Sequence, residues 1–159
     1  VKLVKKTFKS KCVIKEVSEQ DWDFILTIRN QHSSRIAFHD TTVASSETHE
    51  KYMKKLRANP NAFQWVIFYE SKPVGYIKIV DSDLGSFLLD GYKGKGIGTN
   101  AYKLVFHEAK KLGLQKLTAT VKVQRPTSIE FEKKLGWEIK KIINKDNKPY
   151  SYYIEKILD

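Results

Sequence analysis

The chain has 159 residues, 41% of them hydrophobic and 12% aromatic, which is enough to build one apolar core and too much for a disordered tail. Its formal net charge is +11, from 29 Lys and Arg against 18 Asp and Glu. That surplus favours nucleic acid, an acidic membrane surface or a phosphate-rich small molecule as partner, but the lysines are spread along the chain and no helix-turn-helix, zinc-finger or RNP pattern is present. Nucleic acid is therefore not the expected partner. No run approaches the roughly 20 apolar residues of a spanning helix, so no membrane partner is expected.

One domain over residues 1–159 is expected. The basic opening Val1–Lys6 lacks the apolar stretch of a signal peptide. A first strand is read at 12–17; it contains Cys12, the only cysteine, which excludes an intrachain disulfide and fits a reducing cytosol. Ser18, with Asp21 three residues on, starts a helix to about Asn30. Residues 31–45 are loop-like, and a second helix runs from near Ser46 to Ala58, where Asn59-Pro60 stops it. Strands follow at 63–69 and 74–80, joined by a turn at Glu70–Pro73, and a third at 84–89 after the turn Asp81-Ser82-Asp83. A helix is expected from Gly98 to about Leu112, a strict-alternation strand at 116–123, a helix from Pro126 to near Gly136, and two final strands at 137–143 and 150–158. The order β-α-α-β-β-β-α-β-α-β-β mixes hairpins with crossovers. It predicts an α/β (α+β) fold with a mixed, mostly antiparallel sheet of about seven strands and about four helices.

The chemistry concentrates at residues 93–98, Lys-Gly-Lys-Gly-Ile-Gly, between a strand and a helix. Glycines let the backbone turn with positive φ, and the helix start offers free N–H groups at its positive dipole end. Together they make a cradle for linked phosphates. The P-loop pattern is absent, and the third glycine is misplaced for a dinucleotide fingerprint. No metal site is expected.

This segment resembles the acetyl-CoA signature Q/R-x-x-G-x-G/A of the GCN5-related N-acetyltransferases, with Lys93 at the Q/R position followed by Gly96 and Gly98. Residues 125–137, RPTSIEFEKKLGW, resemble that family's N-x-x-S-x-x-F-Y-x-K-x-G-F/W segment through Ser128, Phe131, Lys134, Gly136 and Trp137. The resemblance implies an acetyl-CoA-dependent N-acetyltransferase with a splayed strand pair. Backbone groups of Leu88 and Leu89 would meet the pantetheine amides. The amides of Lys93, Gly94, Lys95, Gly96, Ile97, Gly98 and Thr99 would hold the pyrophosphate. It also implies direct attack of the amine on the thioester, without a covalent enzyme intermediate. Two departures stand out. Arg125 replaces the family's Asn and is assigned to the cofactor phosphates. Glu132 replaces the Tyr that protonates the leaving thiolate; a carboxyl can donate only if burial raises its pKa. Otherwise the acid is Tyr150, Tyr152, Tyr153 or water.

A proton acceptor for the amine is sought among His39, Asp81, Asp83, Asp90 and Glu132, and His39 has the best-matched ordinary pKa. The N-terminal third, with Arg29-Asn30, Glu47-Thr48-His49 and Lys54-Lys55-Leu56, resembles acetyltransferases of nucleotide-linked amino sugars in pseudaminic acid synthesis. That resemblance implies a nucleotide-sugar acceptor, with Arg29 and Asn30 ordering the acceptor loop or contacting the substrate; Phe38 and Trp65 are read as aromatics for stacking on its base or sugar, Asp81 as a further substrate contact, and a homodimer is left open. Two other functions stay in play: acetylation of protein N-termini such as those of ribosomal proteins, and a basic nucleic-acid module with a degenerate loop.

Overall fold

The computed structural model describes residues 3–5, 11–37, 42–124 and 126–159. In chain order the elements are β1 (Leu3–Lys5), β2 (Cys12–Glu16), α1 (Trp22–Asn30), α2 (His32–Ala37), α3 (Ser46–Ala58), β3 (Ala62–Tyr69), β4 (Lys72–Val80), β5 (Asp83–Leu88), α4 (Ile97–Lys111), β6 (Lys116–Lys122), α5 (Pro126–Lys134), β7 (Glu138–Lys145) and β8 (Lys148–Ile157). They build one eight-stranded sheet in the order β1-β2-β3-β4-β5-β6-β8-β7. The expected mixed, mostly antiparallel α/β architecture is present. Two elements go beyond the expectation: the short strand β1, and α2, a six-residue helix inside the segment read as loop. Its serine-rich sequence, HSSRIA, hides the helix because Ser competes locally for backbone hydrogen bonds.

The sheet is covered on both faces, which explains the nearly unbroken apolar runs of β3 and β4. Ile77 and Ile79 of β4 pack with Trp65, Ile67 and the α4 residues Ala101, Leu104 and Val105. Tyr76, on the opposite face, packs with Trp22, Ile25 and Ile28 of α1 and Met53 and Leu56 of α3. Each fully buried Ile or Met contributes about 1.5–3 kcal/mol. The capping pattern at Ser18 is realised: its N–H donates to the Asp21 carboxylate at 2.8 Å, ahead of a single 3-10 turn that leads into α1. The hairpins β3–β4, β4–β5 and β7–β8 all turn on two residues with positive φ, Glu70-Ser71, Asp81-Ser82 and Asp146-Asn147. Those tight turns match the strand twist.

One joint in the sheet is incomplete. β5 and β6 run parallel and pair only at Asp83↔Thr118. There the Thr118 N–H donates to the Ser82 carbonyl at 2.9 Å and its hydroxyl donates to Asp83 at 2.8 Å. β6 is paired with β8 along its whole length on the other side. β5 is likewise paired with β4 throughout. Beyond the pinch the two strands part, and the gap between them is the site.

Candidate active site

The gap opens into a cleft of about 620 Å³ that runs from the glycine loop to the interior, lined by β5, β6, α4 and α5. At its outer end Gly94 and Gly96 have φ of +76° and +77°. A side chain at either position would strain the backbone. Gly96 precedes α4, and no side chain caps that helix start. The first helical hydrogen bond is from the Asn100 N–H to the Gly96 carbonyl, so the amides of Ile97, Gly98 and Thr99 precede the ladder. Gly98 sits where an added Cβ would come within 3.4 Å of the Phe131 ring, which lets α5 approach α4 closely. Lys93, Gly94, Gly96, Ile97, Gly98 and Thr99 all line the cleft. The Lys93 ammonium is held 3.0 Å from Asp90, whose carboxylate also accepts the Ser33 hydroxyl at 2.6 Å. These bonds hold the Asp90 carboxyl below its ordinary pKa, the Ser33 hydroxyl first and Lys93 second. Lys95 is exposed and lies over the Tyr92 ring at 5.8 Å.

The assignment of both Leu88 and Leu89 to the cofactor needs correction. The Leu89 N–H donates to the Val74 carbonyl at 2.8 Å, which is ordinary sheet pairing with β4. In an antiparallel ladder the next residues alternate in direction. The backbone groups of Leu88 and Ser86 therefore face the splay, and both residues line the cleft. The Leu88 carbonyl already accepts the Gln31 side-chain amide at 2.7 Å, which ties the start of α2 to the cleft rim.

The inner end is polar in a different way. Ser86 Oγ and Tyr102 OH are 2.7 Å apart, and Tyr102 donates to Glu132 Oε1 at 3.3 Å. Glu132 is 8% exposed, and its Oε2 is buried without a hydrogen-bond partner among the described residues. Burial pushes its pKa from 4.5 to about 7, partly offset by the Tyr102 bond. Burial also holds the Tyr102 phenol well above its ordinary value, and the adjacent Glu132 adds to that. Glu132 follows Ser128 by one helical turn, which places both on the face of α5 that lines the cleft. Sequence reasoning weighed Glu132 but missed Tyr102. The available signal was a hydroxyl on the buried stripe of α4, where a phenol needs a partner.

The other expected residues divide. Asn30 clamps the segment before α3: its side chain donates to the Ala44 carbonyl and accepts the Ala44 N–H, both at 2.9 Å. Arg29 lies over the Tyr52 ring at 5.1 Å. Trp65 is 3% exposed inside the main core, so it has no face left for stacking on an acceptor. Asp81 occupies an exposed hairpin turn at φ +51°, and its N–H donates to the Asn61 carbonyl. His49, part of the sugar-enzyme resemblance, is a buried staple whose Nε2 donates to the Trp22 carbonyl at 3.0 Å. Burial lowers its pKa, so it stays neutral in that role. His39, Phe38 and Arg125 lie outside the described residues.

Against known proteins, the model of the acetyltransferase (GNAT) family matches residues 26–137. The chain belongs to the GNAT acetyltransferase family. It is an N-acetyltransferase whose cosubstrate is acetyl-CoA. No curated protein matches the sequence. Solved structures share the fold at low identity. A spermidine N-acetyltransferase from Vibrio cholerae, in complex with CoA and spermine, superposes with TM-score 0.83 at 13% identity, covering 93% of this chain and 96% of that one. A domain from Methanocaldococcus jannaschii gives 0.80 at 20% identity, covering 94% and 100%. A GNAT-family acetyltransferase from Streptococcus pneumoniae gives 0.75 at 18%, covering 93% and 99%. The residues present fit acetyl-CoA: two left-handed glycines open the backbone, the α4 start is uncapped, and the facing edges of β5 and β6 are unpaired with each other beyond the pinch. No described helix is long and apolar enough to cross a membrane.

Proposed function

We propose that this GNAT acetyltransferase acetylates the primary amine of a small-molecule acceptor by direct attack on the thioester, with Glu132 as the proton donor to the departing sulfur. The observation that carries this is the buried Glu132 carboxyl, with one oxygen unpartnered, at the inner end of a cleft whose outer end is the glycine loop. With its pKa near 7, Glu132 is substantially protonated at neutral pH. As the nitrogen–carbon bond forms and the carbon–sulfur bond breaks, the sulfur takes the Glu132 proton. The carboxylate is then reprotonated by the proton that the acylated nitrogen sheds. The amine must arrive neutral to attack.

Direct attack is supported by the state of the only cysteine. Cys12 is 1% exposed, and burial pushes its thiol up to about 11, so it is a poor acetyl carrier. A lone buried thiol also suits a cytosolic protein. Small amines are supported by the fold shared with spermidine acetyltransferases. The nucleotide-linked amino sugar expected from the N-terminal third is another small amine, and the +11 charge favours an acceptor with phosphates over a polycation.

The test is CoA release on mixing enzyme, acetyl-CoA and a panel holding spermidine, simple alkylamines, a nucleotide-linked amino sugar and a short peptide. Turnover of small amines that collapses in Glu132→Gln supports the reading. Faster acetylation of the peptide than of every small amine, or no turnover at all, removes it.

A further inference from the structure

A second polar cluster lies on the α1/α3 face of the sheet, outside the machinery described above. Tyr52 of α3 is its centre. The Lys78 ammonium donates to the Tyr52 hydroxyl and lies 4.9 Å from the ring centroid. The Arg29 guanidinium carbon lies 5.1 Å from the same centroid. Arg29 Nη1 is buried and has no hydrogen-bond partner, and neither cation forms an ion pair among the described residues. The carboxylate that acts electrostatically on Lys78 belongs to Asp83, which is engaged by Thr118 at the strand pinch.

The register ties this cluster to the cleft. Lys78 stands directly opposite Gly85, and Tyr76 directly opposite Phe87. Opposed residues in an antiparallel pair project to the same face. Gly85 and Phe87 line the cleft, and Gly85 has no side chain to screen Lys78 from it. Tyr76 stacks on Phe87 at 6.0 Å and packs with α1 and α3, which fixes the face. Thus α5 presents a carboxyl to the cleft from one face of the sheet, while Lys78 projects from the other face beside Gly85 of the cleft wall.

Two cations sharing one aromatic ring repel each other, and a buried N–H without an acceptor is costly. An anion between them relieves both. Resting on the acetyltransferase reading, we propose that the acceptor is an amine that also carries a carboxylate or phosphate, and that Arg29 and Lys78 hold that anionic group beside Tyr52. A polyamine, which is cationic throughout, is disfavoured there.

Matched acceptors test this with acetyl-CoA saturating: 4-aminobutyrate against n-butylamine for the carboxylate, O-phosphoethanolamine against ethanolamine for the phosphate, and spermidine as the polycation. The expected result is a kcat/KM at least about tenfold higher for one anionic member than for its neutral partner. Lys78→Met and Arg29→Gln should each cut that ratio at least about fivefold, mainly through KM. Lys78 is partly exposed, so Lys78→Met keeps the test open if Arg29→Gln fails to fold. A preference for spermidine or the neutral amines, or an equal loss on both members of each pair, overturns the subsite. Inorganic phosphate supplies a readout independent of turnover. With CoA saturating the glycine loop, phosphate should raise Tm in the wild type and less in Lys78→Met. Equal shifts overturn the subsite. Absence of turnover with every amine, with the phosphate difference intact, defeats the acetyltransfer reading instead.

Discussion

The two ends of the cleft are built by opposite means. The outer end, at Gly94–Thr99, offers backbone: amides at a helix start, shaped by two left-handed glycines and flanked by exposed lysines. Its charge preference is fixed by dipole and geometry and does not titrate near neutrality. The inner end, Ser86–Tyr102–Glu132, offers side chains withdrawn from water, and its charge is set by burial. One end is permanently electropositive. The other changes charge near pH 7. On the proposed mechanism the enzyme needs both, because holding a coenzyme requires constancy and moving a proton requires a group close to its own pKa.

The largest expected effect comes from making the outer end anionic. Gly96→Asp meets no atom within 4 Å of its new Cβ, so the fold survives at a cost of about 1–2 kcal/mol of left-handed strain. The carboxylate would stand in the loop proposed to seat the phosphates, and CoA binding should be abolished, seen as loss of the CoA-induced rise in Tm. Retained binding would show that the loop does not hold the phosphates. Next is Glu132→Gln, which keeps the shape and removes the proton. Turnover at pH 6 should fall by about 10²-fold. In the wild type, log kcat/KM should rise with pH as the amine deprotonates and flatten above about 7, where Glu132 loses its proton. In Glu132→Gln the rise should continue without that break. A break that persists in the variant belongs to another group.

The outer end was legible in the sequence, and the inner end only in part. Glycine spacing reports backbone conformation directly, so Gly94, Gly96 and Gly98 could be placed by eye. The sheet order followed from hairpin turns and alternation, whereas α2 escaped because its serines read as loop. Glu132 could be found as a departure from a motif, but whether it is a solvated helix residue or a buried acid depends on Ile129 and Phe131 seating α5 against α4. That is a tertiary fact. Tyr102 and Lys78 were invisible for the same reason: each looks like part of a helix stripe or a strand, and its role depends on a neighbour far along the chain. Trp65 erred the other way, as an aromatic read for stacking that the core consumed.

The buried carboxyl also carries a stability cost of definite sign. Its folded pKa is raised, so the folded state disfavours ionisation. The penalty is absent below about pH 4.5, grows as pH rises and is complete above about pH 7. A rise of that size corresponds to at most about 3 kcal/mol. Relative to wild type, Glu132→Gln should therefore be more stable at pH 8 than at pH 4.5 by up to that amount, measured by urea midpoints at the two pH values. The cost of burying the new amide is the same at both, so it cancels in the comparison. No difference between the two pH values would mean that Glu132 reaches water.

Tyr102→Phe should have the smallest effect on rate and the most specific signature. The phenol donates to the carboxyl and holds its pKa below where burial alone would put it. Removing that bond favours the protonated form, so the break in the pH profile should move to higher pH while kcat falls only several-fold. Loss of its two hydrogen bonds, to Ser86 and Glu132, should cost about 1–3 kcal/mol of stability. A residue that merely fills space would lower stability without moving the break. In a Glu132→Gln background the same substitution should leave the pH profile unmoved, because the group it tunes is gone. A shift that survives in the double variant would place the titrating group elsewhere and detach the Ser86–Tyr102 pair from the chemistry.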